Sequence, residues 1–550
     1  MYKLTFSKTT AAFLVILFLS FFLRFYGLTH NPVQLNHDEI SQLYDTGSII
    51  ATSKDIYGNK LPLAFPSTGD YKPGHYIYIT TIPYLIFGNK EFVIRFAAAF
   101  FGSLLPLVIF ILLYSTTKKL LLSFLAALFV TINPADIFYA RKSFENVIGV
   151  FLLFSGLTLL INFIGKKLKL FVGIGGLLLI SSSMYVYTSE TIIAPVILFL
   201  SILIYKKEIF QAKKRWLVLL LLFVLTLIPL LYLNQIDSNL KFRASSVFIT
   251  QDRLLGERLS GVQTGNFFLS EISKKIITFE FIVDRYLQQF NPLFIFGNGL
   301  NLTNQGFIGV GPLLAVELPF FIAGLIFVLR NAKSYRVYLL ICLSFMIGFI
   351  PTALTFEEKS PHRVIFSFTS AAIISSLGVY WFIECVKRFN KITKRAIYAT
   401  IIAFFVANFV YFIQIYTVNW PYEKSQHLHY PFKQIALFAW YNYSQFDQII
   451  IDPVYGDVAP VQAVAVHYYL AYYGNYSPDR FQKDLKLNEW GMSVDKFAIR
   501  TVYWPKDQKL QNTLIIASPW SLPIKDLPKE KILKTFNFYN GKPAYYAIKL

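Results

Sequence analysis

"TAAFLVILFLSFFLRFYGLTHNPVQLNHDEISQLYDTG", residues 10–47, changes character once, near its middle. Residues 10–28 are apolar over the length of one bilayer crossing, roughly 20 residues. Polar residues then take over, with His37, Asp38 and Glu39 side by side. The apolar run has the charged start of a signal peptide, but "FFLRFYGLTH" offers no small-residue cleavage site, so it reads as a retained anchor. A chain that begins this way is held in lipid from its first segment and presents acid and base side chains as it leaves.

The same alternation continues. Of 550 residues 55% are hydrophobic, 18% aromatic and only 15% charged, against about a quarter charged in soluble domains. Further runs at 92–114, 120–135, 145–164, 170–187, 190–205, 216–233, 312–330, 337–354, 364–385 and 396–416 bring the expected total to about eleven crossings. The stretch 76–88 is apolar but short and holds Pro83, so it is expected as a re-entrant or interfacial helix. The net charge of +21 sits largely in short loops such as Lys118–Lys119, Lys166–Lys167 and Lys206–Lys207. That is the positive-inside bias, which puts the amino terminus inside and the carboxyl terminus outside, and it removes the case for nucleic-acid binding. Cys342 and Cys385 form no disulfide or zinc pattern.

The expected fold is therefore a polytopic α-helical membrane protein with a small extracytoplasmic α/β domain. Residues 1–416 form the membrane domain, with outer loops at 29–91 and 234–311, and residues 417–550 form the outer domain. In the tail, 431–444 and "QAVAVHYYLAYY" read as helices, "FDQIIIDPVYG" and "TLIIAS" as strands, and "TFNFYNGKPAYYAIKL" as a closing hairpin. Residues 270–290 have the apolar spacing of an amphipathic helix on a membrane surface.

Ionisable residues collect in the outer segments. The first supplies His37, Asp38, Glu39, Asp70, Lys72 and His75, with Arg95 just inside the next span. "NPADIFYARKSFENV" adds Asp136, Arg141 and Glu145, and "TFEEKSPHRVIF" adds Glu357, Glu358, His362 and Arg363. Arg95 and Arg363 lie at outer helix ends, against the charge bias, where a cation wants a partner. That partner is either an internal carboxylate or an anionic lipid substrate. Asp38 and Glu39 are neighbours and point about 100° apart on a helix, so they cannot serve one face. A carboxylate can take a proton from an attacking hydroxyl, while cations stabilise charge on a leaving group. No glycine-rich nucleotide motif in a usable context is present, as suits a donor carried on a membrane lipid. Whether His37, His75 or His362 joins a carboxylate around a divalent cation stays open.

Residues 24–102, with "DE", "YGNKLPL", "DYKP", "FGNKEF" and Arg95 in order, resemble the first outer loop of bacterial membrane glycosyltransferases. These belong to the dolichyl-phosphate-mannose protein mannosyltransferase superfamily, which includes the aminoarabinose transferases that modify lipid A. "NPADIFYARKSFEN", "RYLQQFNPLFIFGNGLN" and "PTALTFEEKSPHR" resemble later segments of the same superfamily. The resemblance implies a GT-C fold and inverting transfer of a sugar, such as mannose or an aminopentose, from polyprenyl phosphate to a hydroxyl on a lipid, glycan or protein. It implies Asp38 as catalytic base, with Glu39 beside it and Asp136 or Glu145 as the second acid. Arg95, Arg141 and Arg363 would lie near the lipid phosphate. From their place among the ionisable outer residues, Lys72, His75, Glu145 and His362 are expected to complete the substrate-binding set. Gly74–His75 and "IRFAA" depart from the superfamily's proline positions. A transporter or flippase of lipid-linked glycans is the competing reading; it would favour charges nearer mid-membrane and needs no large outer tail.

Overall fold

A computed structural model describes residues 7–550 apart from 68–69, 167, 237–244, 263–266, 300–305, 307, 358 and 489–490. Glu358 and the side chain of Asp70 thus lie outside the described residues, as does part of the 234–311 loop. Two compact units emerge, Met1–Tyr26 with Ala97–Ile415, and Gly27–Phe96 with Tyr416–Leu550. The first outer segment therefore groups with the tail.

The first unit is helical. Every apolar run expected as a span overlaps a helix. Among the described residues seven helices are long and apolar enough to cross a membrane, or eight if the bent pair Leu120–Ile132 and Pro134–Ala140 is one span. The other three expected crossings are the shorter helices Leu170–Val186, Glu190–Ile204 and Leu318–Asn331, of 17, 15 and 14 residues. The last is cut short because Pro319 takes its opening turn, where a missing N–H is harmless, so residues 312–317 stay out of it.

At the centre of this unit, Ile365–Val386 is buried without interruption from Ile365 to Val379. A helix apolar all round belongs inside a bundle. Its approach to Leu318–Asn331 depends on glycine: a Cβ on Gly378 would stand 1.9 Å from the carbonyl oxygen of Phe320, and one on Gly324 2.0 Å from that of Ile374. Small residues at such crossings let backbones touch.

The bend after Ile132 has a local cause. Pro134 lacks an N–H and pushes Asn133 to an extended ψ of 125°, ending one helix and starting the next. The Asn133 side chain caps the new helix by accepting from the Asp136 N–H at 3.0 Å. The carbonyls freed at the break, Val130 and Thr131, accept from the buried Arg24 guanidinium at 3.2 and 3.3 Å.

In the second unit, strands β1 (Ala64–Ser67) and β2 (Asp70–Pro73) form an antiparallel hairpin with Phe65 opposite Lys72. The helix His75–Phe87 follows, containing Pro83, where the short apolar stretch is expected. The tail builds a seven-stranded sheet from β3 (Gln448–Ile451), β6 (Leu485–Asn488), β7 (Gly491–Val494), β8 (Phe497–Arg500), β9 (Thr513–Ala517), β10 (Ile532–Asn537) and β11 (Pro543–Lys549). A two-stranded ribbon, β4 (Val454–Tyr455) with β5 (Val461–Gln462), stands apart. The sheet order is β10-β11-β9-β3-β8-β7-β6, with β3 parallel to β8 and β9 and the remaining pairs antiparallel. The continuous apolar runs "III" in β3 and "LIIA" in β9 are fully buried, as central parallel strands covered on both faces require.

Candidate active site

The helix His37–Thr52 starts with a capping box. Asn36 accepts from the Glu39 N–H at 2.8 Å, and the Asn36 N–H donates to Glu39 Oε2 at 3.1 Å. This fixes the first turn and turns the adjacent acids in different directions.

Glu39 points inward and is 1% exposed. Arg95 meets it with a bidentate pair, Nε to Oε1 at 2.8 Å and Nη2 to Oε2 at 2.9 Å. The same guanidinium donates to the carbonyls of Leu28 and Pro32 at 2.9 Å each and of Gln34 at 2.8 Å. A guanidinium has five N–H donors, and all five are engaged within the protein. In this arrangement Arg95 has no donor left for a lipid phosphate, and both carboxylate oxygens of Glu39 accept from within the protein.

Asp38 points elsewhere. Its Oδ1 accepts from the Lys72 ammonium, which the β1–β2 hairpin presents, and lies 3.1 Å from His37 Nε2. The carboxyl keeps 29% of its side-chain surface exposed. Burial opposes its ionisation, but Lys72 and His37 outweigh burial and hold Asp38 well below the usual carboxylate range. The His37 ring is pulled down by burial, against the attraction of Asp38, and His75 is pulled down by burial too. Asp38 is thus an ionised, solvent-reachable carboxylate held at a helix start.

The tail completes these surroundings. His429 packs on His37 with ring centroids 5.1 Å apart and on Tyr469 at 6.4 Å, and burial, with His37 adding to it, takes it down to about 3. The Tyr469 hydroxyl donates to the Leu35 carbonyl at 2.5 Å, and Tyr44 donates to that of Tyr476 at 2.8 Å. Further along the same helix, Tyr468 donates to Asp45 Oδ2 at 3.0 Å; burial pushes this carboxyl up to about 8, the phenol only partly offsetting it.

In the first unit, two of the predicted outer segments meet. Asp136, 4% exposed, accepts from the Thr369 hydroxyl at 2.9 Å. The Asn146 amide donates to the His362 carbonyl, and Phe144 stacks on the His362 ring at 6.0 Å. Arg141 is buried and donates to the Leu23 carbonyl at 2.9 Å. Glu145 stands in the first turn of Glu145–Lys166. Arg363, with Nη2 3.4 Å from Glu357 Oε2, keeps a buried Nη1 with no hydrogen-bond partner among the described residues. Among the described residues no group of three or more His, Cys, Asp or Glu is arranged to hold a metal ion.

The sequence-predicted residues thus divide. Asp38, Glu39, Lys72, His75 and Arg95 belong to the second unit, and Asp136, Arg141, Glu145, His362 and Arg363 to the first. Three participants escape a reading by segments. His429 sits in "SQHLHYPF", which carries no motif. Arg24, inside an apolar run, could have been found as a cation at an outer helix end. Asn36 could have been found as the start of N-x-x-E.

No protein-family model matches the chain, and no curated protein does. Solved structures do. ArnT from Cupriavidus metallidurans in the apo state matches with 13% identity and a TM-score of 0.53, covering 98% of this chain and 97% of its own. The same protein bound to undecaprenyl phosphate gives 12% identity and 0.50 over the same shares. At such identities the likeness is one of fold: from end to end this chain is folded as ArnT is.

Proposed function

We propose that the protein is an integral membrane glycosyltransferase that transfers a sugar from a polyprenyl-phosphate carrier to an acceptor hydroxyl on the outer face of the membrane. The observation that carries this reading is Asp38, an ionised carboxylate open to solvent and held by Lys72 and His37. The fold it shares with ArnT, a protein seen with undecaprenyl phosphate bound, supports the choice of donor.

In this reading Asp38 takes the proton of the acceptor hydroxyl as its oxygen attacks the anomeric carbon. The bond from that carbon to the phosphate oxygen breaks on the opposite face, so the configuration inverts and polyprenyl phosphate leaves. A base already ionised at neutral pH contributes about 10²–10⁴-fold. Lys72 and His37 keep the carboxylate oriented. Glu39 and Arg95 act as a clamp that fixes the turn carrying Asp38, a different part from direct contact with substrate. For the phosphate, Arg363 keeps a buried Nη1 with no hydrogen-bond partner among the described residues, a donor that Arg95 lacks. Asp136 holds its bend through Thr369 and serves position more than proton transfer.

The test is direct. Membranes containing the protein are supplied with polyprenyl phosphates carrying radiolabelled hexose or aminopentose, and the labelled acceptor is isolated. Label moving into a lipid, glycan or protein only when the protein is present supports the reading; label staying on the carrier for every sugar tried counts against it.

A further inference from the structure

The second unit holds a groove of about 890 Å³ that the chemistry above leaves unused. One wall is the segment 29–33 with 89–92, and the other comes from the tail, through Tyr430, Lys433, Tyr473, Asn475 and Tyr539. Its volume falls in the range of small-molecule sites, about 300–1,000 Å³.

The lining is aromatic and polar together. Tyr430 and Tyr539 form a corner, their rings 5.1 Å apart and at 86°. Facing residues build a second corner: Lys433 lies over the Tyr473 ring at 5.4 Å and donates to Glu91 Oε1 at 2.6 Å, and the Tyr473 hydroxyl reaches the same oxygen at 3.1 Å. Tyr473 in turn stacks on Tyr469 at 6.4 Å, which ties the groove to the packed interior. An acyl chain has no use for such polar groups. Of the two lysines among its described lining residues Lys433 is neutralised by Glu91, which leaves Lys90 as a single cation where a phosphate site gathers several charged donors. A sugar fits both features: its C–H faces lie on aromatic rings, and its hydroxyls bridge charged and amide groups.

The groove is mechanically connected to the candidate base. Arg95 holds the carbonyls of Pro32, within the segment that forms one wall, and of Leu28, just before it, and with the same guanidinium holds Glu39, the residue after Asp38. We propose that this groove binds the saccharide part of the acceptor, so that the acceptor class is a glycan or a glycolipid headgroup. The proposal rests on the transferase reading for the word acceptor, and on the groove alone for the word saccharide.

The experiment uses full-length protein in lipid nanodiscs on an array of lipid-free neutral and acidic oligosaccharides, with a peptide array beside it. Wild type should hold at least one oligosaccharide class. Tyr539→Ala and Lys433→Gln should each bind roughly tenfold more weakly, while Asp38→Asn binds as wild type does. Binding should survive added phosphatidylglycerol vesicles. A blank glycan array, capture of peptides instead, displacement by the vesicles, or binding by both groove variants as tight as wild type overturns the proposal. Oligosaccharide binding together with undiminished transfer by Asp38→Asn would overturn the catalytic reading and leave the groove standing; Asp38-dependent transfer with a blank array would do the reverse.

Discussion

Glu39 and Arg95, 56 residues apart, form a bidentate pair at 2.8 and 2.9 Å with both side chains almost fully buried. This pair explains how adjacent acids come to differ. Glu39 is consumed in locking the start of the helix to the segment before it, and Asp38 is thereby left facing Lys72, His37 and solvent.

Breaking the clamp should damage the fold first. Glu39→Gln or Arg95→Ala leaves a buried charge without its partner, which costs on the order of 3–5 kcal/mol. Arg95→Lys should not rescue, because an ammonium cannot reproduce the planar fork. Thermal unfolding in detergent and protease sensitivity of residues 27–96 would record this, and a stable, fully folded Arg95→Ala would refute the clamp.

Much of this was legible in the sequence. Apolar run length located the helices, and the apolar runs of "FDQIIIDPVYG", "TLIIAS" and the closing hairpin gave β3, β9, β10 and β11, whereas β6, β7 and β8 were not foreseen. The number of crossings was less legible, because a run such as 312–330 is apolar in composition while proline decides where its helix begins. Asp38 was visible as an acid leaving a span. That Arg95 would use every donor on Glu39 and three carbonyls was not, since nothing in a linear pattern tells an internal carboxylate from a lipid phosphate. His429 comes to His37 across nearly four hundred residues, a proximity only the fold creates.

Lys72→Ala should expose the origin of Asp38's acidity. With Lys72 present the carboxyl sits below the ordinary range, so activity should show no acid limb from Asp38 between pH 5 and 8. Without it, burial is less well opposed and the carboxyl's pKa rises, so activity should fall as the pH drops through a limb now displaced upward. A pH–rate profile for kcat/KM measures this; identical profiles would remove Lys72 from the account.

Asp45 predicts the opposite sign for stability. Its folded-state pKa, about 8, lies above the unfolded value, so the folded protein binds the extra proton. Its contribution is full below about pH 4 and is lost as the pH rises towards 8. Asp45→Asn keeps an acceptor for Tyr468 and should flatten the fall in Tm across that window; an unchanged slope would mean that another group is responsible.

Arg363→Ala should weaken donor use. Loss of a charge-assisted contact to phosphate predicts a KM for the polyprenyl-linked sugar raised roughly tenfold or more, with the acceptor KM little changed. Equal loss towards both substrates would deny Arg363 that role.

The account turns on Asp38, and the most direct measurement is single-turnover transfer by Asp38→Asn in reconstituted membranes, with folding checked by its melting curve. A properly folded variant slowed by about 10²–10⁴-fold is the result predicted here. A folded variant transferring sugar at the wild-type rate would contradict it.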